Sequence, residues 1–204
     1  IGGLPQDLSF DSDLKTYARI GDRSVVREGS TINRASQDGE STSVGVDCFL
    51  MAMTHIGHDC RVGDRVVIGN NSLLAGFVSV GGDAFLGGAS GIHQFCRIGE
   101  GVMFGGDSTA TVDVPPFTML AERNNLFGLN LVGLRRRGHS RESIKALKEC
   151  YGLLYGSRGR LKESAARLLE SDFANHAECR AFLDFFAEGS RGFAQPRKRA
   201  KGKD

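Results

Sequence analysis

The sequence predicts a mainly β fold: a left-handed parallel β-helix of six-residue repeats, followed by a small α-helical domain. Three observations carry this prediction. Large apolar residues recur every six positions between 44 and 104. Glycine supplies 28 of 204 residues, about twice the ~7% average, without a collagen-like triplet or a proline-rich tract. The repeat fades after Ser108, and past Asp113-Val114-Pro115-Pro116 it gives way to segments of helical period.

The anchors are Val44, Leu50, Ile56, Val62, Ile68, Leu74, Val80, Leu86, Ile92, Ile98 and Phe104. Four places after each stands a small residue, from Cys48, Thr54 and Cys60 through Cys96, Val102 and Ser108. The same phase opens earlier at Ile20, Val26 and Ile32, with Ser24 and Ser30 as small partners. A helical period of 3.6 or a strand period of 2 explains neither column. Short strands with a corner every six residues explain both. One large and one small residue point inward per side, three sides make a coil, and stacked coils satisfy each other's backbone hydrogen bonds. Glycine follows most anchors, as at Gly45, Gly57, Gly63 and Gly69, and suits a tight corner or a positive φ. Residues 33–43 interrupt the anchors, and Gln37-Asp38-Gly39-Glu40 reads as a loop projecting from a corner. Cys48, Cys60 and Cys96 fall in the small inward column and read as packing residues.

Beyond the prism, Ser140 reads as the cap of a helix over 141–155, with Ile144, Leu147, Tyr151 and Leu154 on one face and Gly156 and Gly159 ending it. Residues 161–170 and 177–187 read as two more helices, packed through Phe182, Phe185 and Phe186. The predicted domains are thus 1–122 for the β-helix, 123–194 for the helical part and 195–204 for a basic flexible tail. That tail holds Arg197, Lys198, Arg199, Lys201 and Lys203 against Asp204.

Composition narrows the class of function. An apolar content of 40% with 25% charged residues excludes both a disordered chain and a membrane protein, and no apolar run approaches the ~18 residues of a membrane span. The net charge is +2, and without its tail the chain has no basic field for nucleic acid. The five cysteines are scattered singly, which argues against a disulfide framework and for a reducing, cytoplasmic setting.

The densest polar cluster on the coils is Thr54-His55-Ile56-Gly57-His58-Asp59-Cys60. Ile56 and Cys60 point inward, so His58 lies on another aspect of the coil. An exposed histidine beside a carboxylate suits general-base work, and a hydrogen-bonded surface histidine is the bland alternative. A second cluster is Ile92-His93-Gln94-Phe95-Cys96. His58 and His93 are 35 residues apart, one short of two coils, so they share a side at different corner positions. Zinc held by His55, His58 and His93 is disfavoured, because their offsets from the anchors differ and they point in different directions. Arg135-Arg136-Arg137 suits a phosphate or is a charged turn, and no phosphate-loop fingerprint is present.

Several of these motifs occur in an order that resembles a known family. They are His55-Ile56-Gly57-His58-Asp59-Cys60, Leu74-Ala75-Gly76-Phe77-Val78-Ser79-Val80, Ile92-His93-Gln94-Phe95-Cys96, Asp113-Val114-Pro115-Pro116, Gly133-Leu134-Arg135-Arg136-Arg137-Gly138 and Asp184-Phe185-Phe186. Together they resemble the acyl-acyl carrier protein–UDP-N-acetylglucosamine O-acyltransferases, which begin lipid A synthesis. The resemblance spans the chain up to its basic tail, and it places Ile1-Gly2 mid-prism, as if N-terminal coils were missing. It implies transfer of a 3-hydroxyacyl chain from acyl carrier protein to the sugar 3-hydroxyl by a homotrimer, without cofactor or metal. His58 matches the family's base, Asp59 its neighbour, and Gly76 the glycine whose N–H serves the oxyanion. Gln6 and Asp7 match sugar contacts, while His55, His93 and Gln94 line the cleft. Asn130, Arg136 and Arg137 match nucleotide-side contacts. Gly106 matches the position that limits acyl length, and a glycine there favours a longer chain.

Three positions depart from the family pattern. Ser9 stands where a lysine is usual, Phe77 where a histidine follows Ala-Gly, and Val132 where an acidic residue precedes Gly-Leu. These departures imply retained acyl transfer with a shifted acceptor, a 3-amino sugar nucleotide being one candidate. Two other readings are the related N-acyltransferase, against which the Arg-Arg-Arg-Gly stretch and its helices speak, and a non-catalytic homologue that only binds nucleotide sugar or carrier protein.

Overall fold

A computed structural model describes residues 1–198. It forms a left-handed parallel β-helix, triangular in section, capped by helices. The first face stacks β1 (Tyr17–Ile20), β4 (Ser41–Val44), β7 (Arg61–Val62), β10 (Ser79–Val80) and β13 (Arg97–Ile98). The second stacks β2 (Val25–Val26), β5 (Phe49–Leu50), β8 (Val67–Ile68), β11 (Phe85–Leu86) and β14 (Met103–Phe104). The third stacks β3 (Thr31–Ile32), β6 (His55–Ile56), β9 (Leu73–Leu74), β12 (Gly91–Ile92) and β15 (Thr109–Ala110). Neighbouring strands within each face pair in parallel from coil to coil. The register places Phe49 beside Val67 and Leu73 beside Gly91, 18 residues apart. From Tyr17 to Phe104 only the first coil is longer: Tyr17 pairs with Ser41 and Thr31 with His55. Its excess lies in the loop at 33–40.

Both inward columns are buried as the repeat demands. Leu50, Ile56, Ile68, Leu74, Leu86 and Phe104 have no exposed surface, and neither do Cys60, Val66, Val78 and Cys96. Burying each such side chain contributes about 1.5–3 kcal/mol. The cysteines act as core residues: Cys48 and Cys60 lie 3.1 Å from the carbonyls of Gly63 and Ala75. Burial pushes the Cys60 thiol up to about 12 and the Cys96 thiol up to about 11, so neither forms a thiolate near neutral pH.

The corner geometry differs from one of the two reasons offered for the glycines. Those that follow the anchors do not take positive φ. A side chain at Gly57 would instead come within 2.9 Å of the Ala75 and Gly76 backbone in the next coil. The left-handed conformation falls two residues later. Asp47, Met53, Asp59, Arg65, Asn71, Phe77, Asp83, Ala89 and Phe95 all have φ between 56° and 65°. These are mostly not glycines, and each carries the steric cost of that region, offset by the coil hydrogen bonds on either side.

The sheet of the second face continues past the prism as a hairpin. Strand β16 (Thr118–Ala121) stacks on β14 and pairs antiparallel with β17 (Asn125–Leu129). The last strand, β18 (Gln195–Pro196), pairs with β17. The predicted flexible tail therefore begins as sheet: Arg197 donates its N–H to Leu126 and lies 3.1 Å from the Glu122 carboxylate. Arg199, Lys201 and Lys203 lie outside the described residues.

Four helices follow, α1 (Leu131–Arg136), α2 (Arg141–Gly156), α3 (Leu161–Leu169) and α4 (Ala177–Asp184). Ser140 caps α2 through the Ser143 N–H. Leu147, Cys150, Leu154, Phe182 and Phe186 form a second core. Phe185 stays at its edge, beneath the Arg97 guanidinium at 4.2 Å. Arg97 also bonds the buried Asp113 at 2.8 Å and the carbonyls of Phe185 and Glu188. Asp113 in turn exchanges backbone hydrogen bonds with Gly192 and Ala194. This latch holds the C-terminal segment against the first face. Among the described residues, no helix is long and apolar enough to cross a membrane.

Leu74→Ala should lower the unfolding free energy by about 2–5 kcal/mol, whereas the exposed Glu163→Ala should change it by less than about 0.5 kcal/mol. Urea denaturation monitored by circular dichroism measures both.

Candidate functional site

The 18-residue stacking brings residues far apart in sequence into columns. At the corner between the third and first faces, His58, Gly76 and Gln94 occupy one column, and Asp59, Phe77 and Phe95 the next. His93 precedes Gln94 in this corner, so the two histidine clusters share it at adjacent positions.

The His58 side chain is 12% exposed and its Nδ1 lies 2.7 Å from Asp59 Oδ2. A carboxylate oxygen accepts, so Nδ1 donates, and in the neutral ring Nε2 keeps its lone pair. Asp59 is itself held from two sides. Its carboxylate accepts the Ser36 N–H, 3.1 Å from each oxygen, and its own N–H donates to Thr42 Oγ1 at 2.7 Å. Ser36 belongs to the loop that lengthens the first coil. Nothing in the local sequence marked it, although the interruption of the anchors over 33–43 marked the loop.

Gly76 is required by the His58 ring. A methyl group on Gly76 would sit 2.7 Å from both Cε1 and Nε2 of His58. The reactive edge of the imidazole thus lies over the Gly76 backbone, whose N–H has no hydrogen-bond partner among the described residues. Phe77 meets His58 edge-on at 5.2 Å, and Phe95 stacks on Phe77 at 4.8 Å. These rings wall the corner with apolar surface. A lone pair, a free N–H and an apolar wall at one point suit acyl transfer to a hydroxyl.

Other predicted residues surround this point. His55 Nδ1 lies 2.8 Å from Thr31 Oγ1, and burial, with a smaller effect of the His58 charge, moves its pKa down. His93 Nδ1 lies 2.7 Å from an Arg191 amino group. Each of the three histidines thus turns Nδ1 to a different partner. Asp7 accepts the Ser9 N–H at 2.9 Å and the Ser9 hydroxyl at 2.7 Å. These bonds, with a lesser contribution from His58, hold its carboxyl below the usual range. Gln6 is exposed beside it.

The remaining predicted residues lie at other corners. Asn130 caps α1 by accepting the Gly133 N–H and donates to the Gly101 carbonyl at 3.0 Å. Arg137 packs against Gly101, and one of its amino groups is buried without a partner. With Arg65, Asp83, Phe117 and His139 it lines a cavity of about 360 Å³. Arg136 is exposed. This group sits between the first and second faces. Gly106 sits between the second and third, where a side chain would come within 3.2 Å of the Gly88 carbonyl. One protomer therefore spreads the predicted site over three corners.

A prism built from six-residue repeats and carrying such a corner defines the hexapeptide-repeat transferases, and residues 41–76 match the bacterial transferase hexapeptide model. Residues 113–194 match the model for the second domain of UDP-N-acetylglucosamine O-acyltransferase. A UDP-N-acetylglucosamine acyltransferase of Arabidopsis is 34% identical over 95% of this chain and 71% of its own, with a TM-score of 0.89. That of Campylobacter jejuni is 36% identical over 97% of this chain and 76% of its own, at 0.85. The UDP-N-acetylglucosamine O-acyltransferase of Moraxella catarrhalis is 38% identical over 96% and 76%, at 0.86. The chain belongs to the UDP-N-acetylglucosamine acyltransferase family and is an acyltransferase.

Gly76→Ala should leave the prism folded and displace the His58 ring. A crystal structure of the variant should show the imidazole moved by a few tenths of an ångström or more, with the His58–Asp59 hydrogen bond lengthened or broken.

Proposed function

We propose that this enzyme transfers a 3-hydroxyacyl chain from acyl carrier protein to the 3-hydroxyl of UDP-N-acetylglucosamine, the first step of lipid A biosynthesis, in the cytoplasm. The observation that carries the reading is the Asp59–His58–Gly76 arrangement. Asp59 fixes the imidazole so that Nε2 faces outward unprotonated. That nitrogen takes the proton of the sugar hydroxyl as its oxygen attacks the thioester carbonyl carbon. The tetrahedral oxyanion accepts the Gly76 N–H. Collapse breaks the carbon–sulfur bond, and the departing carrier thiolate takes the proton from the His58 imidazolium. Gln6, Asp7, His55, His93 and Gln94 contact the sugar side, while Asn130, Arg136 and Arg137 serve the nucleotide. Gly106 leaves the acyl groove open for a long chain. No step calls for a metal or cofactor.

Two features support the partners. The three parts of the site lie at three corners, so a site between copies of the chain, in a homotrimer, reunites them. The outward residues of the second face are also apolar: Val25 is 44% exposed, and Phe85 and Met103 are each 37% exposed. Contact between copies removes that stripe from water. For the donor, Arg135, Arg141, Lys145 and Lys148 line an open cavity of about 690 Å³, with no carboxylate in ion-pair range among the described residues. Such a cationic surface suits an acidic carrier protein.

The protein, supplied with a mixture of 3-hydroxyacyl carrier proteins and both the 3-hydroxyl and the 3-amino sugar nucleotide, should yield acylated sugar detectable by mass spectrometry. His58→Ala should lower the rate about 10²–10⁴-fold. Ser9, Phe77 and Val132 make the 3-amino sugar nucleotide the second acceptor to test. A product on the amino sugar would assign it, and reaction of the hydroxyl sugar alone would exclude it. A separate set of rates tests the donor surface. The Lys145→Glu and Lys148→Glu double variant should raise KM for the carrier protein while leaving kcat within about twofold, an effect that added salt diminishes.

A further inference from the structure

We infer that Arg191 is a positioning residue for the acyl-transfer site: it fixes the tautomer of His93, opposite to that of His58. The inference rests on the proposed placement of His93 in that site. His58 Nδ1 faces a carboxylate and must carry the proton. His93 Nδ1 faces a guanidinium amino group at 2.7 Å. A guanidinium only donates and does not lose its charge in proteins, so Nδ1 of His93 must accept. The proton of the neutral ring then sits on Nε2, which has no partner among the described residues. The two imidazoles thus divide their tasks. His58 presents a lone pair, and His93 presents an N–H that donates to a substrate oxygen and does not compete for the proton His58 takes.

The surroundings make this arrangement conditional on Arg191. The Gln94 carbonyl lies 3.2 Å from the same His93 Nδ1. Without the guanidinium, Nδ1 gains by carrying the proton and donating it to that carbonyl. Nε2 then turns into an acceptor. Arg191 is therefore the group that selects between two hydrogen-bonded states of one ring. Its position is not accidental to the fold. It lies between Gly189, packed against Arg97 and Asp113, and Gly192, whose carbonyl accepts the Asp113 N–H. Its own Nε is buried. The Arg97–Asp113 latch thus carries the C-terminal segment to the corner that begins at His93, and links the helical domain to the site.

Nitrogen-15 NMR of histidine-labelled protein reads the tautomer directly, whether or not the enzyme turns over. The wild type should show His93 protonated at Nε2. Arg191→Met should show it protonated at Nδ1, and Arg191→Lys, which keeps a donor, should restore the Nε2 form. Arg191→Leu serves as a second donor-free variant should the first not fold. Arg191→Met should lower kcat/KM about tenfold or more, and should add nothing in a His93→Ala background. An unchanged tautomer in both donor-free variants overturns the inference, as does a full additional loss in the His93→Ala background. A switched tautomer with fully active His93→Ala would overturn the positioning role by removing His93 from the site. An inactive wild type with a switched tautomer would refute the proposed reaction and leave the tautomer control standing.

Discussion

Every feature of this enzyme depends on the parallel stacking of 18-residue coils. Because each coil repeats the last in register, a position in one coil lies directly over its equivalent in the next. The inward columns form the core of the prism, and the outward columns become ladders of side chains. Chemistry that needs three groups at one point takes them from three successive coils, as at His58, Gly76 and Gln94. The corner backbone is fixed by hydrogen bonds to the coils on both sides, so the groups on it are positioned before substrate arrives.

That stacking sets the use of glycine. The glycines after the anchors are there because the coils approach closely, while the left-handed corner position tolerates Asp, Arg, Phe and Met. Gly76 differs again: what excludes its side chain is the imidazole of the coil before it. The glycine that carries the proposed oxyanion N–H is thus defined by a side chain, and its neighbours in the repeat by backbone.

The prism was legible in the sequence because its period is local and strict: eleven anchors with small partners leave no other fold. The helices were legible for the same reason, with Ser140, Gly156 and Gly159 marking the bounds of α2. The pair His58-Asp59 was visible as adjacent residues. Partners from elsewhere in the chain were not. Ser36 reaches Asp59 only because the first coil is longer, Thr42 reaches it across one regular coil, and Arg191 reaches His93 only because the Arg97–Asp113 latch folds the C-terminal segment back. The basic tail looked unstructured by composition, yet Gln195–Pro196 pairs with the hairpin edge. Composition carries no information about an unpaired strand waiting in the fold. The placement of Asn130 as a helix cap is a similar case, since a capping asparagine and a ligand-binding one look alike until its partners are known.

The central claim is that the sugar hydroxyl and the thioester carbonyl meet at the His58–Gly76 corner. The most direct test is a crystal structure of the assembled enzyme with the sugar nucleotide acceptor bound. The account predicts the acceptor oxygen within about 3.2 Å of His58 Nε2, with the nucleotide reaching Asn130, Arg136 and Arg137 of a neighbouring copy. An acceptor bound with its reactive oxygen far from His58, or wholly within one protomer, would contradict it.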